Sequence, residues 1–213
     1  MHHSAGGLCG MGNLLRVTRN LMCLAWCVVL LVACSLPGSA KATIKVGLSA
    51  PFEGRYRDLG YEVLYAVRLA LRQRNDAGGV GQRYLVELVA LNDFDEAEEA
   101  VIQARGMAVD PGVLGVLAGL SPETAQAAAT EYTRLGLPFL IPAIDLTKPQ
   151  PSPPPELGFA TDYQALSGGV PPGQAAAWAY AEANRLLDAL DAAARSEGLP
   201  SRQGVQAALM ASH

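Results

Sequence analysis

Past its first 34 residues the chain has no cysteine and a single histidine. All four cysteines, Cys9, Cys23, Cys27 and Cys34, fall within that stretch, and the one histidine beyond His3 is His213 at the far end. The missing cysteines exclude an internal disulfide or a thiolate metal site from the remainder. The missing histidine leaves a serine or cysteine nucleophile without a base, so no triad can be assembled. Gly119-Leu120-Ser121-Pro122-Glu123 lacks the second glycine of a nucleophile elbow. Gly78-Gly79-Val80-Gly81 falls between a helical pattern and the strand after it, the reverse of a dinucleotide loop, and no Gly-Lys-Ser/Thr phosphate cradle is present. His2, His3 and His213 are terminal and lack metal-ligand spacing. Basic charge is scarce too. Arg16 and Arg19 are the only charged residues among the first 33, which leaves 14 basic against 20 acidic residues in the rest of the chain. Such a balance gives nucleic acid nothing to hold. The expectation is a chain that is no enzyme, with no cofactor and no metal.

What is present begins with a leader. Arg16 and Arg19 precede an unbroken apolar run over residues 21–33, the length of a signal-peptide core and short for a bilayer span. Leu31-Val32-Ala33-Cys34 resembles the lipobox of bacterial lipoproteins, which would make Cys34 the lipidated first residue of the mature protein. A second cut is open: Ala40-Lys41-Ala42 follows the small-x-small rule and would release a soluble protein from Thr43. Residues 1–42 are therefore assigned to a leader, and the protein is expected to be exported.

From residue 44 the pattern alternates. An apolar, β-branched run at 44–50 is followed by Leu59, Val63, Ala66, Val67, Ala70 and Leu71 at helical spacing. A second strand at 84–91 ends at the polar pair Asn92-Asp93. Asp95 and Glu98 form a capping-box pattern ahead of a helix over 96–109, and Pro111-Gly112 stops it. Strand three covers 113–119, Ser121-Pro122 opens helix three, and strand four covers 138–144. Continuous apolar strands alternating with helices predict an α/β fold: a doubly wound parallel sheet in three αβα layers. Residues 148–157 carry Pro149, Pro151, Pro153, Pro154 and Pro155, which suit neither helix nor central strand. Beyond this junction, residues 158–213 hold a long helix traced by Ala176, Tyr180, Ala183, Leu187, Leu190 and Ala194, and a last one opened by Pro200-Ser201. Tyr84, Trp178 and Tyr180 read as packing residues.

Several of these segments together resemble the type I periplasmic substrate-binding proteins, the branched-chain amino acid and amide binders of ABC importers. The resemblance rests on Ile44-Lys45-Val46-Gly47-Leu48 with Ser49-Ala50-Pro51, and above all on Asn75 to Gly81 followed by a strand closing in Asn92-Asp93. Gly119 to Thr124 and Leu137 to Ala143 match further strand ends, while Tyr163, Gly168-Gly169 and Ala179-Tyr180 are similar to a segment far later in the family. Members have two α/β lobes. Here the proline-rich junction stands where the family carries most of its second lobe, so residues 43–147 and 158–213 are both expected to belong to lobe one.

The resemblance implies a small solute, an amino acid or amide, delivered to an ABC permease, with any membrane attachment made through the lipid at Cys34. It places Ser121 and Thr124 in one ligand loop and Ala143 and Asp145 in another. Ser121 is equally an ordinary helix cap. Asp145 stands where many relatives have serine or threonine; a carboxylate there grips an ammonium group and repels a ligand carboxylate, or is simply a solvated loop acid. Phe52 and Tyr56, in the first loop, offer an aromatic wall, and packing accounts for them as well. With one jaw absent, ligand binding by this chain alone is expected to be weak or lost. The alternative is a non-transporting sensor or protein-interaction lobe, or a decayed gene product.

Overall fold

A sheet of continuous apolar strands is stable only if both faces are covered. The computed structural model describes residues 41–141 and 158–212, and shows how that is done. Four parallel strands, β1 (Ala42–Ala50), β2 (Tyr84–Asn92), β3 (Val113–Leu117) and β4 (Phe139–Leu140), lie in the order β2-β1-β3-β4. Side chains of β1 alternate: Ile44, Val46, Leu48 and Ala50 enter one core, while Gly47 on the other face lies against Met107 and Val116. The β1–β3 register runs from Lys45↔Val113 directly to Val46↔Gly115, so Leu114 is an extra residue. The irregularity turns both Leu114 and Gly115 to the first core, where Gly115 faces Leu186.

Helices α1 (Arg57–Asp76), α2 (Ala97–Val109) and α3 (Pro122–Leu135) make the crossovers. From β1 the chain steps one way to β2; from β2 it steps back past β1 to β3 and on to β4. Right-handed crossovers then require α1 on one face and α2 with α3 on the other. The two cores obey this. Val63, Val67 and Ala70 of α1 join the β1 core, and Ala100, Ala104, Met107, Ala128 and Tyr132 of α2 and α3 form the second.

Strand four and the second helix depart from expectation. Strand four was expected over 138–144; β4 is Phe139–Leu140, and residues 142–144 of the expected strand lie outside the described residues. Among the described residues its partner is β3 (Val113–Leu117), through Val116↔Phe139 and Leu117↔Leu140. The Asp95–Glu98 capping box is absent as well. Phe94 and Asp95 have left-handed backbones, and Glu96 is the N-cap with no side-chain cap. Asp93 holds the turn instead: its carboxylate accepts from the Asp95 N–H (3.1 Å), and its carbonyl accepts from the Glu96 N–H (2.8 Å).

The second described segment holds the two expected helices, α5 (Gln174–Glu197) and α6 (Arg202–Ala211), and they cover the β1 face. It adds an unforeseen helix, α4 (Phe159–Ser167). Polar ties join this segment to the first. The Tyr163 hydroxyl donates to the Glu62 carbonyl (3.2 Å), and the Glu62 carboxylate accepts from the Ala176 N–H (2.9 Å), capping α5 from α1. Arg74 pairs with Asp188 and Asp191 of α5, and Asp191 also accepts from the Gly81 N–H (2.6 Å). The Tyr84 hydroxyl donates to the Gly198 carbonyl (2.8 Å), and that of Tyr180 to the Gln73 side chain. Arg202 donates to the carbonyls of Val113 (2.9 Å), Ala108 (3.1 Å) and Asp110 (2.8 Å). The two described segments, 41–141 and 158–212, thus form one packed unit.

On the α2–α3 face, Arg134 and Arg105 hold the Glu131 carboxyl down at about 2, against an ordinary value of 4.5. A depressed folded value means that this stabilisation is present above the unfolded value and is lost as pH falls through the folded one. Glu131→Gln is therefore expected to melt below the parent protein at neutral pH, with the gap closing between pH 4.5 and about 2. Thermal unfolding of both proteins across that range is the check.

Candidate functional site

The strand order reverses between β1 and β3, because β1 leads outward to β2 and β3 leads the opposite way to β4. Connections on opposite faces leave a crevice at the carboxyl ends of those two strands, the usual ligand position in open α/β sheets. The loops that leave β1 and β3 there carry Phe52 with Tyr56, and Ser121 with Thr124. The topology brings these two predicted groups to one edge. Ala143 and Asp145 follow β4 and lie outside the described residues, as does Cys34.

Ser121 caps α3 through a closed box. Its hydroxyl accepts from the Thr124 N–H (3.4 Å), and the Thr124 hydroxyl accepts from the Ser121 N–H (3.3 Å). The two hydroxyls lie 3.0 Å apart, and that of Thr124 also donates to the Ser121 carbonyl (3.1 Å). Pro122 at the start and Gly136 in the left-handed region at the end complete the helix. Thr124 is buried, so its hydroxyl orients Ser121 and does not face solvent, whereas Ser121 is half-buried at the mouth of the helix. The α3 N-terminus directs its dipole to this edge, which favours an anionic group there.

Phe52 is half-buried and meets Tyr61 edge-on, with ring centroids 5.8 Å apart. It is the end of an aromatic row that continues through Tyr65 and Tyr163 to Phe159 and Tyr180, joining the first loop to α4 and α5. Tyr56 stands at the N-cap of α1 with the Arg55 guanidinium 5.4 Å from its ring centroid.

Residues that sequence reasoning left without a role hold this edge in shape. The Asn92 side-chain oxygen accepts from the N–H groups of Phe52 (2.9 Å) and Phe94 (3.1 Å), pinning the loop after β1 to the end of β2. Next to it Asp93 is buried, accepting from the Ser49 hydroxyl (2.9 Å). Burial pushes the Asp93 carboxyl above the ordinary range, against the opposing pull of the Asp95 N–H and the Ser49 hydroxyl. Ser49 and Asp93 cannot reach a ligand from that depth; they fix the strand ends on which the ligand loops stand. The signal in the sequence was the polar pair closing an apolar strand. Among the described residues no group of three or more His, Cys, Asp or Glu is placed to hold a metal ion, and no helix is long and apolar enough to cross a membrane.

A family model described as periplasmic binding protein matches residues 43–155. No curated protein matches the chain. Among solved structures, the branched-chain amino acid transporter substrate-binding protein LivJ of Streptococcus pneumoniae, in complex with isoleucine, is 25% identical with a TM-score of 0.44; the match covers 47% of this chain and 28% of that one. A candidate branched-chain amino acid ABC transporter protein of Rhodospirillum rubrum is 30% identical, TM-score 0.45, with 56% and 32% covered. The leucine-binding protein LivK of Thermotoga maritima is 23% identical, TM-score 0.42, with 47% and 27% covered. In each case the match spans less than a third of the solved chain.

Proposed function

We propose, on the premise that this chain belongs to the periplasmic binding protein family, that it is an exported solute-binding lobe of the amino acid or amide class that serves an ABC importer. The observation that carries the reading is the strand order, which reverses between β1 and β3 and sets the Phe52 loop and the α3 N-terminus shaped by Ser121 and Thr124 at one edge of the sheet. A helix N-terminus suits a carboxylate, and a half-buried ring suits an apolar side chain; an amino acid offers both. No covalent step is required, and binding and release are the whole activity.

The described lobe meets such a ligand from one side. Family members close two lobes around the solute, and a ligand held on one side forgoes the contacts of the other. Losing even about 4 kcal/mol of contacts weakens binding about a thousandfold. The described residues within the family match, up to residue 141, and α4 to α6 build one α/β lobe, and binding by this chain alone is accordingly weak. Ala143 and Asp145 belong to the same proposed site, with Asp145 favouring an ammonium group. Cys34 is the proposed lipid attachment point.

A thermal-shift panel of amino acids, short amides and urea on residues 41–213 tests this reading. Stabilisation by a ligand grows as the logarithm of its concentration over the dissociation constant. No rise in melting temperature is expected at micromolar ligand, and a clear rise there with any amino acid overturns the one-sided site.

A further inference from the structure

The exposed face of α2 carries a pattern that neither the core nor the solute site uses. Glu98, Ile102, Arg105 and Val109 are all exposed, and at 3.6 residues per turn they fall within about 60° of one another. Ile102 is 52% and Val109 83% exposed, far from the solvated polar face expected of a surface helix. Beside this stripe runs a shallow furrow of about 440 Å³ between α2 and α3, lined by Ala97, Glu98, Val101, Ile102, Arg105 and Ala127. Isolated apolar side chains on a surface need no explanation. The order of charges along this one does.

The midpoint between Glu98 and Arg105 falls between Val101 and Ile102. If a second α2 lies antiparallel across a two-fold axis at that point, Glu98 of each copy meets Arg105 of the other. Val101 and Ile102 meet at the centre. Such reciprocity is what a two-fold interface requires of a single surface. The local charge also calls for it. Arg105 and Arg134 share the one carboxylate of Glu131 (2.7 Å and 3.0 Å), leaving a positive charge in excess. The Arg105 side chain remains 59% exposed, with N–H groups beyond the Nε that Glu131 takes. Glu98 makes no ion pair among the described residues.

We infer that the α2 face is a self-complementary docking surface for a second copy of this chain, paired antiparallel through Glu98, Ile102, Arg105 and Val109. The inference is independent of the solute reading, because the surface lies on the helix layer and uses none of the ligand loops.

Sedimentation equilibrium of residues 41–213, the unit that encloses both cores, tests it. The protein dimerises reversibly. Glu98→Arg sets arginine against Arg105 twice per dimer, and Arg105→Glu sets glutamate against Glu98 twice. Each variant alone is expected to dimerise about tenfold more weakly, the sum over two exposed pairs. An equimolar mixture of the two restores both attractions, and a heterodimer at least as tight as the parent dimer forms. Val109→Lys, at a position too exposed to matter for folding, weakens dimerisation by a similar factor. A parent protein that stays monomeric at high micromolar concentration overturns the inference. So does a dimer indifferent to Val109→Lys, or a mixture no tighter than its components.

Discussion

Gly60→Ala lowers the stability of this lobe by about 3 kcal/mol and its melting temperature by about 10 °C. The sign is the informative part, because glycine to alanine inside a helix ordinarily stabilises by about 1 kcal/mol. Gly60 is buried in the first turn of α1, and a Cβ there would stand 1.9 Å from the Pro51 carbonyl oxygen. That obstacle is backbone, and it cannot rotate away. To admit the methyl group, either α1 tilts off the β1 core or the loop of Phe52 leaves its hydrogen bond to Asn92. The Gly136→Ala variant is the control. Gly136 has φ +63° with nothing within 4 Å of its would-be Cβ, so only the left-handed backbone resists substitution, at about 1 kcal/mol. Urea unfolding of both variants separates close approach from backbone conformation, and a Gly60→Ala protein as stable as the parent contradicts the described loop.

Arg202→Met is expected to cost about 2 to 3 kcal/mol in the same assay. Methionine keeps much of the apolar stem but removes the donors that reach the carbonyls of Val113, Ala108 and Asp110. Bonds from a charged donor contribute about 1.5 to 3 kcal/mol each. Here they share one half-buried side chain, and water replaces part of the loss, so the sum falls well short of three full bonds. Those carbonyls close the end of α2 and the start of β3, while Arg202 opens α6. The variant therefore loosens α6 first, and amide exchange over Arg202–Ala211 accelerates before that of β1. Arg202→Lys recovers less than half of the loss, because a single ammonium group cannot span three carbonyls. Unchanged stability in Arg202→Met would mean that this contact does not help hold the second segment on the lobe.

Strands β1 to β3 and helices α1 and α5 were legible because each is an apolar run or an apolar stripe long enough to show its period, and α3 and α6 because Ser121-Pro122 and Pro200-Ser201 mark their starts. Helix α4 was not. Its buried positions are Phe159, Tyr163 and Ser167, only three, one of them polar, between Gly158 and Gly168. The start of α2 was misread for a different reason. Asp95 and Glu98 have capping-box spacing, but Asp93 had already fixed the turn from inside the sheet, through a contact with Ser49 that lies 44 residues away in sequence. At the candidate site Ser121 and Thr124 were readable because a cap is local. Asn92 and Asp93 act between strands, so their roles emerge only when β1 and β2 are set side by side.

An amide-resolved NMR titration of residues 41–213 with leucine or isoleucine tests the proposed ligand edge most directly. The account predicts fast-exchange shifts concentrated in residues 51–56 and 119–125, approaching saturation only at millimolar ligand. Saturation at micromolar ligand, or shifts that gather away from the carboxyl ends of β1 and β3, would contradict it.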